Sequence, residues 1–118
     1  MSSLRHQKVR ELLKRAIGEI LRRELSMTET GLVTVNDVGV SADLHSASIF
    51  VGVLGSPAQK KRAVEVLDAE RGRLQYLLGQ AITLKYTPHI RFLVDDSIEK
   101  GNRVLDILDE LEHSGDKP

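Results

Sequence analysis

Apolar residues recur at three- and four-residue steps through residues 4–25: Val9, Leu12, Leu13, Ala16, Ile17, Ile20 and Leu21. That spacing lays one apolar stripe along a helix, and Ser2 or Ser3 is placed to cap its start. A polar break from Ser26 to Gly31 ends the period. Leu32–Val40 and Leu44–Leu54 then switch to the two-residue period of strands. In the second, Ala47, Ile49, Val51 and Val53 alternate with Ser46, Ser48, Phe50 and Gly52. The connector Ser41-Ala42-Asp43 is short enough to make the pair an antiparallel hairpin.

Helical spacing returns after Ser56-Pro57-Ala58-Gln59, a capping box with proline at the first helical position. Ala63, Val64, Leu67, Leu74, Leu77, Leu78 and Ala81 carry it to about residue 81. Gly72 stands in the middle, where it costs about 1 kcal/mol relative to alanine, and a kink between two short helices is expected there. Ile82–Tyr86 and Ile90–Val94 read as extended chain interrupted at Thr87-Pro88. Proline cannot donate a ladder hydrogen bond, so an edge or a bulge is expected. Asp96 or Ser97 then caps a last amphipathic helix carrying Ile98, Val104, Leu105, Ile107, Leu108 and Leu111, and residues from about 113 form a polar tail. The order α-β-β-α-kink-α-β-α predicts an α+β fold, a small three-stranded sheet with helices packed on one face. At this length, residues 1–118 are expected to form one domain.

Composition changes this picture in two ways. Aromatics make up 3% of the chain and cysteine is absent. The core must be built from Leu, Ile, Val and Ala, and a multi-aromatic base-stacking platform is not expected. Disulfides and Cys-ligated zinc are excluded. The apolar runs fall far short of the ~20 residues of a membrane span, and no apolar signal region follows Met1, so a cytoplasmic protein away from membranes is expected.

The formal net charge of zero hides strong segregation. Residues 1–25 hold seven Lys/Arg against three acids, and residues 57–91 repeat that ratio. Residues 26–56 hold three acids and no Lys or Arg, and residues 92–118 hold three basic residues against eight acids. Such asymmetry creates local potentials. The densest basic region centres on Arg71-Gly72-Arg73 at the expected helix junction. Lys60, Lys61 and Arg62 lie upstream of it, and Lys85 and Arg91 downstream. Guanidinium groups beside a helix N-terminus suit phosphate oxygens. The competing reading is a solvated basic face with a packing glycine. Lys8, Arg15 and Arg22 form a stripe that suits a nucleic-acid backbone, although Glu11 and Glu19 are spaced to pair with Arg15 and Arg22 on an ordinary solvated face.

Catalytic signals are weak. Asp95-Asp96 is an adjacent carboxylate pair, and its place before a helix suits capping better than acid–base work. His6, His45, His89 and His113 lack metal-ligand spacing. There is no Walker loop, dinucleotide fingerprint or nucleophile elbow. No enzyme activity, cofactor, metal or small-molecule substrate is expected. A protein-interaction module docking on a ribosomal or other basic protein is the alternative to a nucleic-acid binder, through the sheet face or the acidic last segment.

Three blocks carry a family resemblance: Asp43–Leu54 (DLHSASIFVGVL), Arg73–Lys85 (RLQYLLGQAITLK) and Pro88–Gly101 (PHIRFLVDDSIEKG). With these the chain resembles the bacterial ribosome-binding factor A family from its first helix to about residue 112. The resemblance implies a type II KH-like fold in which an Ala-x-Gly kink replaces the Gly-x-x-Gly loop between two helices. Leu77-Leu78-Gly79 aligns that kink with Glu70-Arg71-Gly72, where Glu70 stands in place of the family's usual alanine. It also implies binding to free 30S subunits and 16S rRNA. The role would lie in late subunit maturation and 16S rRNA 5′-end processing, with no RNA cutting by the protein itself. A monomer is expected. The candidate RNA contacts are Lys8, Arg15, Arg22, Lys60, Lys61, Arg62, Arg71, Gly72, Arg73, Lys85 and Arg91.

Overall fold

The structure is a computed structural model that describes residues 4–95. Ser2, Ser3, Asp96, the expected last helix, the polar tail and His113 lie outside the described residues.

The first helix, α1 (Leu4–Glu24), buries Val9, Leu13, Ile17, Ile20 and Leu21, each worth about 1.5–3 kcal/mol of transfer free energy. Leu12, at the stripe's margin, is 37% exposed. Residues of the expected polar break include a single helical turn, α2 (Met27–Thr30), where the buried Thr30 hydroxyl lies 3.1 Å from the Ser26 carbonyl and 3.0 Å from that of Gly31. Gly31 ends the turn at φ 68° and ψ −170°. A Cβ there would stand 2.6 Å from the Leu54 carbonyl oxygen, so both conformation and space require glycine.

Strands β1 (Leu32–Val40) and β2 (Ser46–Leu54) form the expected antiparallel hairpin. The valines of β1 change parity, from Val33 and Val35 to Val38 and Val40, which a regular strand would turn to opposite faces. A bulge resolves this: the register passes from Val35↔Val51 to Asp37↔Phe50, leaving Asn36 without a Cα partner. The Asn36 side chain lies over Gly52, where a Cβ would come within 2.8 Å of its amide nitrogen. The third strand, β3 (His89–Asp95), runs parallel to β2 at the opposite edge, giving the order β1-β2-β3. Ala47↔Ile90, Ile49↔Phe92 and Val51↔Val94 put apolar partners on one face. The helices cover that face, and the buried residues form one core cluster with it.

Ser56 and Gln59 make the reciprocal capping box at the start of α3 (Pro57–Ala69). The Gln59 amide also donates to the Thr28 carbonyl at 3.1 Å, tying α3 to α2. The helix break falls at Glu70, two residues before the glycine that propensity marks and at the first position of the Glu70-Arg71-Gly72 kink that the resemblance implies. Glu70 adopts φ −97° and ψ 6°, and α4 (Arg71–Ala81) follows. Gly72 lies in the first turn of α4 and a Cβ there would meet nothing, so it is not a packing glycine.

Of the extended stretch expected over Ile82–Tyr86 and Ile90–Val94, only the second part joins the sheet. The Ile82 N–H is spent on the Leu78 carbonyl as the helix ends, and residues 82–88 cross to the sheet as irregular chain. Pro88 is buried immediately before β3. The edge position expected for a strand beside proline is observed. The start of that edge is capped by a side chain, because the Gln75 amide donates to the Pro88 carbonyl at 2.9 Å and its oxygen accepts from the Ile90 N–H at 2.8 Å.

Candidate nucleic-acid interface

The sheet face turned away from the helices is lined at one end by small polar residues, because β2 places Ser46 and Ser48 at its outward positions. A hollow of about 810 Å³ lies over them, bordered by Phe50, His89 and Arg91 and, from the first residue of α4, by Arg71. The β2–β3 register sets Ser48 opposite Arg91, whose Nε donates to the Ser48 hydroxyl at 3.0 Å. That contact orients the guanidinium and leaves its other N–H groups for further acceptors. No carboxylate lines the hollow. Two guanidinium groups, two serine hydroxyls and the start of a helix make an environment suited to phosphate.

The other sequence-selected residues divide into three sets. Arg73 is committed within the protein: its Nη1 meets Glu24 at 2.6 Å and its Nε meets Glu70 at 2.8 Å. These ion pairs tie the end of α1 to the α3–α4 break, and Glu70, the departure from the family pattern, serves as half of that clamp. The Arg73 hydrogen bond, with help from Arg23, lowers the Glu24 pKa below its ordinary range. Glu70 and Glu24 in turn raise that of Arg73. Lys85 lies instead in a second hollow beyond the β1–β2 loop, beside Tyr86. Lys8, Arg15, Arg22, Lys61 and Arg62 stand exposed on α1 and α3, with Lys60 half-buried among them. Arg62 pairs with Glu65 at 3.7 Å. The ion pairs found among the described residues do not include the Glu11–Arg15 and Glu19–Arg22 pairs that the spacing permits.

The structure thus gathers Arg71 and Arg91 and separates them from the rest. Sequence reasoning missed Ser48, Phe50 and His89 as their neighbours, since only the parallel β2–β3 register brings them together. Gly72 sits exposed one residue beyond Arg71. The chain's single Gly-x-x-Gly spelling, Gly52-Val53-Leu54-Gly55, runs from the end of β2 into the α3 cap rather than between two helices.

A mixed sheet of order β1-β2-β3, a helix–break–helix segment before the parallel edge strand and a cationic hollow beside that break define a KH-like domain. Residues 5–108 match the family model described as ribosome-binding factor A, and the chain belongs to that family. It is 37% identical over 111 residues to ribosome-binding factor A of Halothermothrix orenii, covering 94% of this chain and 91% of that one. The crystal structure of ribosome-binding factor A from Thermus thermophilus superposes with a TM-score of 0.64 at 25% identity, over 75% of this chain and 92% of that one. The solution structure of a putative ribosome binding factor A from Thermotoga maritima gives a TM-score of 0.61 at 26% identity, over 79% and 89% of the two chains. A homology model of the Thermus thermophilus factor, fitted into a cryo-electron-microscopy map of its complex with the 30S subunit, gives 0.60 at 26% identity, over 80% and 93%.

Proposed function

We propose that this protein is a ribosome assembly factor of the cytoplasm that binds free 30S subunits as a monomer. In this reading it contacts 16S rRNA and supports late subunit maturation and 5′-end processing without catalysis of its own. The observation that carries the reading is the relative from Thermus thermophilus fitted into a 30S complex, with the fold shared over four-fifths of this chain. The hollow between Arg71 and Arg91 supplies the chemistry: two arginines for a phosphodiester, with the Arg91 guanidinium oriented by Ser48. The exposed cations of α1 and α3 add a salt-screened attraction that speeds encounter. Such a factor acts by binding one conformation of the rRNA better than another and so raising its population.

The test is sedimentation with free small subunits, large subunits and 70S ribosomes across a salt series. Co-migration with free small subunits is expected, weakening as salt rises. The double variant Arg71→Glu/Arg91→Glu should bind more weakly and lose about 0.7–0.9 of log–log salt slope per phosphate contact removed. Binding indifferent to both salt and charge reversal, or a preference for 70S ribosomes, would overturn the proposal.

A further inference from the structure

The second hollow, about 280 Å³, lies where the start of α1, the β1–β2 loop and the segment before β3 meet. Three contacts build it. His6 Nε2 lies 2.9 Å from the Ala42 carbonyl and, in the tautomer that donates, joins helix to loop. The loop is held by Asp43, whose Oδ1 accepts from the Ser41 hydroxyl at 2.6 Å and the His45 N–H at 3.0 Å. His45 sets its ring edge-on to Tyr86, with centroids 5.1 Å apart at 72°. Tyr86 is 59% exposed, and Lys85 Nζ lies 5.7 Å from its ring centroid.

Both tyrosines of the chain are exposed, and Tyr86 differs from Tyr76 in having its ring held by a histidine edge and a lysine. It presents a fixed π-surface among cations, with Arg5 on the same hollow. The one carboxylate there, Asp43, accepts from its two loop donors at Oδ1 and lies 3.6 Å from His45 Nδ1 through Oδ2, so its charge is shared with the loop and the His45 ring. The volume falls below the range of sites for extended ligands and suits one planar group. The two hollows also adjoin: Ser41, Ser46 and His89 border the first, and Ala42 to His45 and Pro88 border the second. A strand laid across the β1–β2 loop meets both.

We infer that the Tyr86 hollow takes one unpaired RNA base, stacked on the tyrosine ring, with a flanking phosphate held by Lys85 or Arg5. The protein therefore prefers single-stranded over duplex RNA at this end of the sheet. This deepens the assembly-factor reading and rests on it. Stacking on an aromatic ring needs a base whose face is free, which a duplex interior does not offer.

The experiment measures anisotropy of a short labelled single-stranded RNA, and of the same RNA annealed into a duplex, against the full chain. Tyr86→Ala should lower single-strand affinity roughly 5- to 150-fold, the range for loss of one stacked base. Tyr86→Phe should stay near wild type. Neither should alter duplex affinity. Lys85→Gln should lower the salt slope by about 0.7. Circular dichroism checks that each variant folds, as the exposure of Tyr86 leads us to expect. Wild-type protein without a single-strand preference, folded Tyr86→Ala with unchanged affinity, or folded Tyr86→Phe as weak as Tyr86→Ala would overturn the inference. If Tyr86→Ala is silent while Arg71→Glu/Arg91→Glu still loses small subunits, the assembly-factor reading survives and the stacking site does not. If wild-type protein fails to sediment with small subunits, the broader reading fails first.

Discussion

Gln75 carries a structural task that a partner strand would otherwise perform, and Gln75→Ala tests it. The side chain supplies one donor and one acceptor to alternate backbone groups of the outer β3 edge, at 2.9 and 2.8 Å. Ile90 is 1% exposed and Pro88 is fully buried, so water reaches these groups poorly once the amide is gone. Each buried polar group left without a partner costs about 1–3 kcal/mol. Partial entry of water into the vacated space favours the lower half of that range, giving about 2–4 kcal/mol for the pair. Against a typical total of about 5–15 kcal/mol, this is a large fraction. At roughly 4–8 °C per kcal/mol for small domains, Tm should fall by about 8–30 °C. Thermal circular dichroism measures the fall, and amide exchange at Ile90 should quicken in step. Gln80→Ala, at an exposed glutamine on the same helix, should change stability by no more than about 0.5 kcal/mol. Because Lys85, Tyr86 and Arg91 flank the tethered segment, RNA binding by Gln75→Ala should also weaken below its unfolding transition. A Tm within about 3 °C of wild type, with unchanged exchange at Ile90, would show that the amide does not hold the edge.

Three further expectations follow from single contacts. Gly31→Ala should destabilise by about 3 kcal/mol or more in urea titration, since it combines a glycine-only backbone conformation with a collision against the Leu54 carbonyl; a neutral result would refute the conformation. Gly72→Ala should raise stability by about 0.5–1 kcal/mol, because its Cβ enters open space in a helix; loss of subunit binding with that gain would reveal close approach of RNA to the backbone there. Arg73→Met should destabilise at neutral pH by leaving Glu24 without its main partner. The Glu24 pKa is lowered in the folded state, so its contribution is present above the ordinary value of 4.5 and is lost as pH falls through the lower folded value. The gap between wild type and Arg73→Met should therefore close in strong acid, and a gap constant with pH would assign the effect to packing instead.

Local signals marked most elements at their observed positions. The three- and four-residue recurrence through α1, the alternation along β2 and the Ser56–Gln59 box each express geometry set within a few residues. Propensity alone put the kink at Gly72, two residues late, whereas the family alignment put it at Glu70-Arg71-Gly72, the stretch that holds the break. The actual break at Glu70 is stabilised by Arg73 and by Glu24, 49 positions before Arg73 in the chain, which no local window contains. The extended chain expected over Ile82–Tyr86 stayed outside the sheet for a similar reason. Apolar and β-branched content favours extension, but a strand also needs an edge to pair with, and Gln75 already bonds the Pro88 carbonyl and the Ile90 N–H at the start of the β3 edge. The β1 bulge went unread, although the valine parity change over Val33–Val40 carries its signal.

The amino-acid sequence by itself determined where the chain turns helical or extended, which face of each element seeks the core, and the family to which the blocks Asp43–Leu54, Arg73–Lys85 and Pro88–Gly101 point. Those properties depend on side-chain periodicity and on steric preferences that act between near neighbours. Tertiary structure alone decided which cations share a surface. The parallel register of β2 and β3 set Arg91 beside Ser48 in a hollow with Arg71, whereas the close approach of α1 to the helix break withdrew Arg73 into two ion pairs. Charge acts through space, so a count of lysines and arginines along the chain cannot distinguish a guanidinium aimed at solvent from one already neutralised by a distant carboxylate.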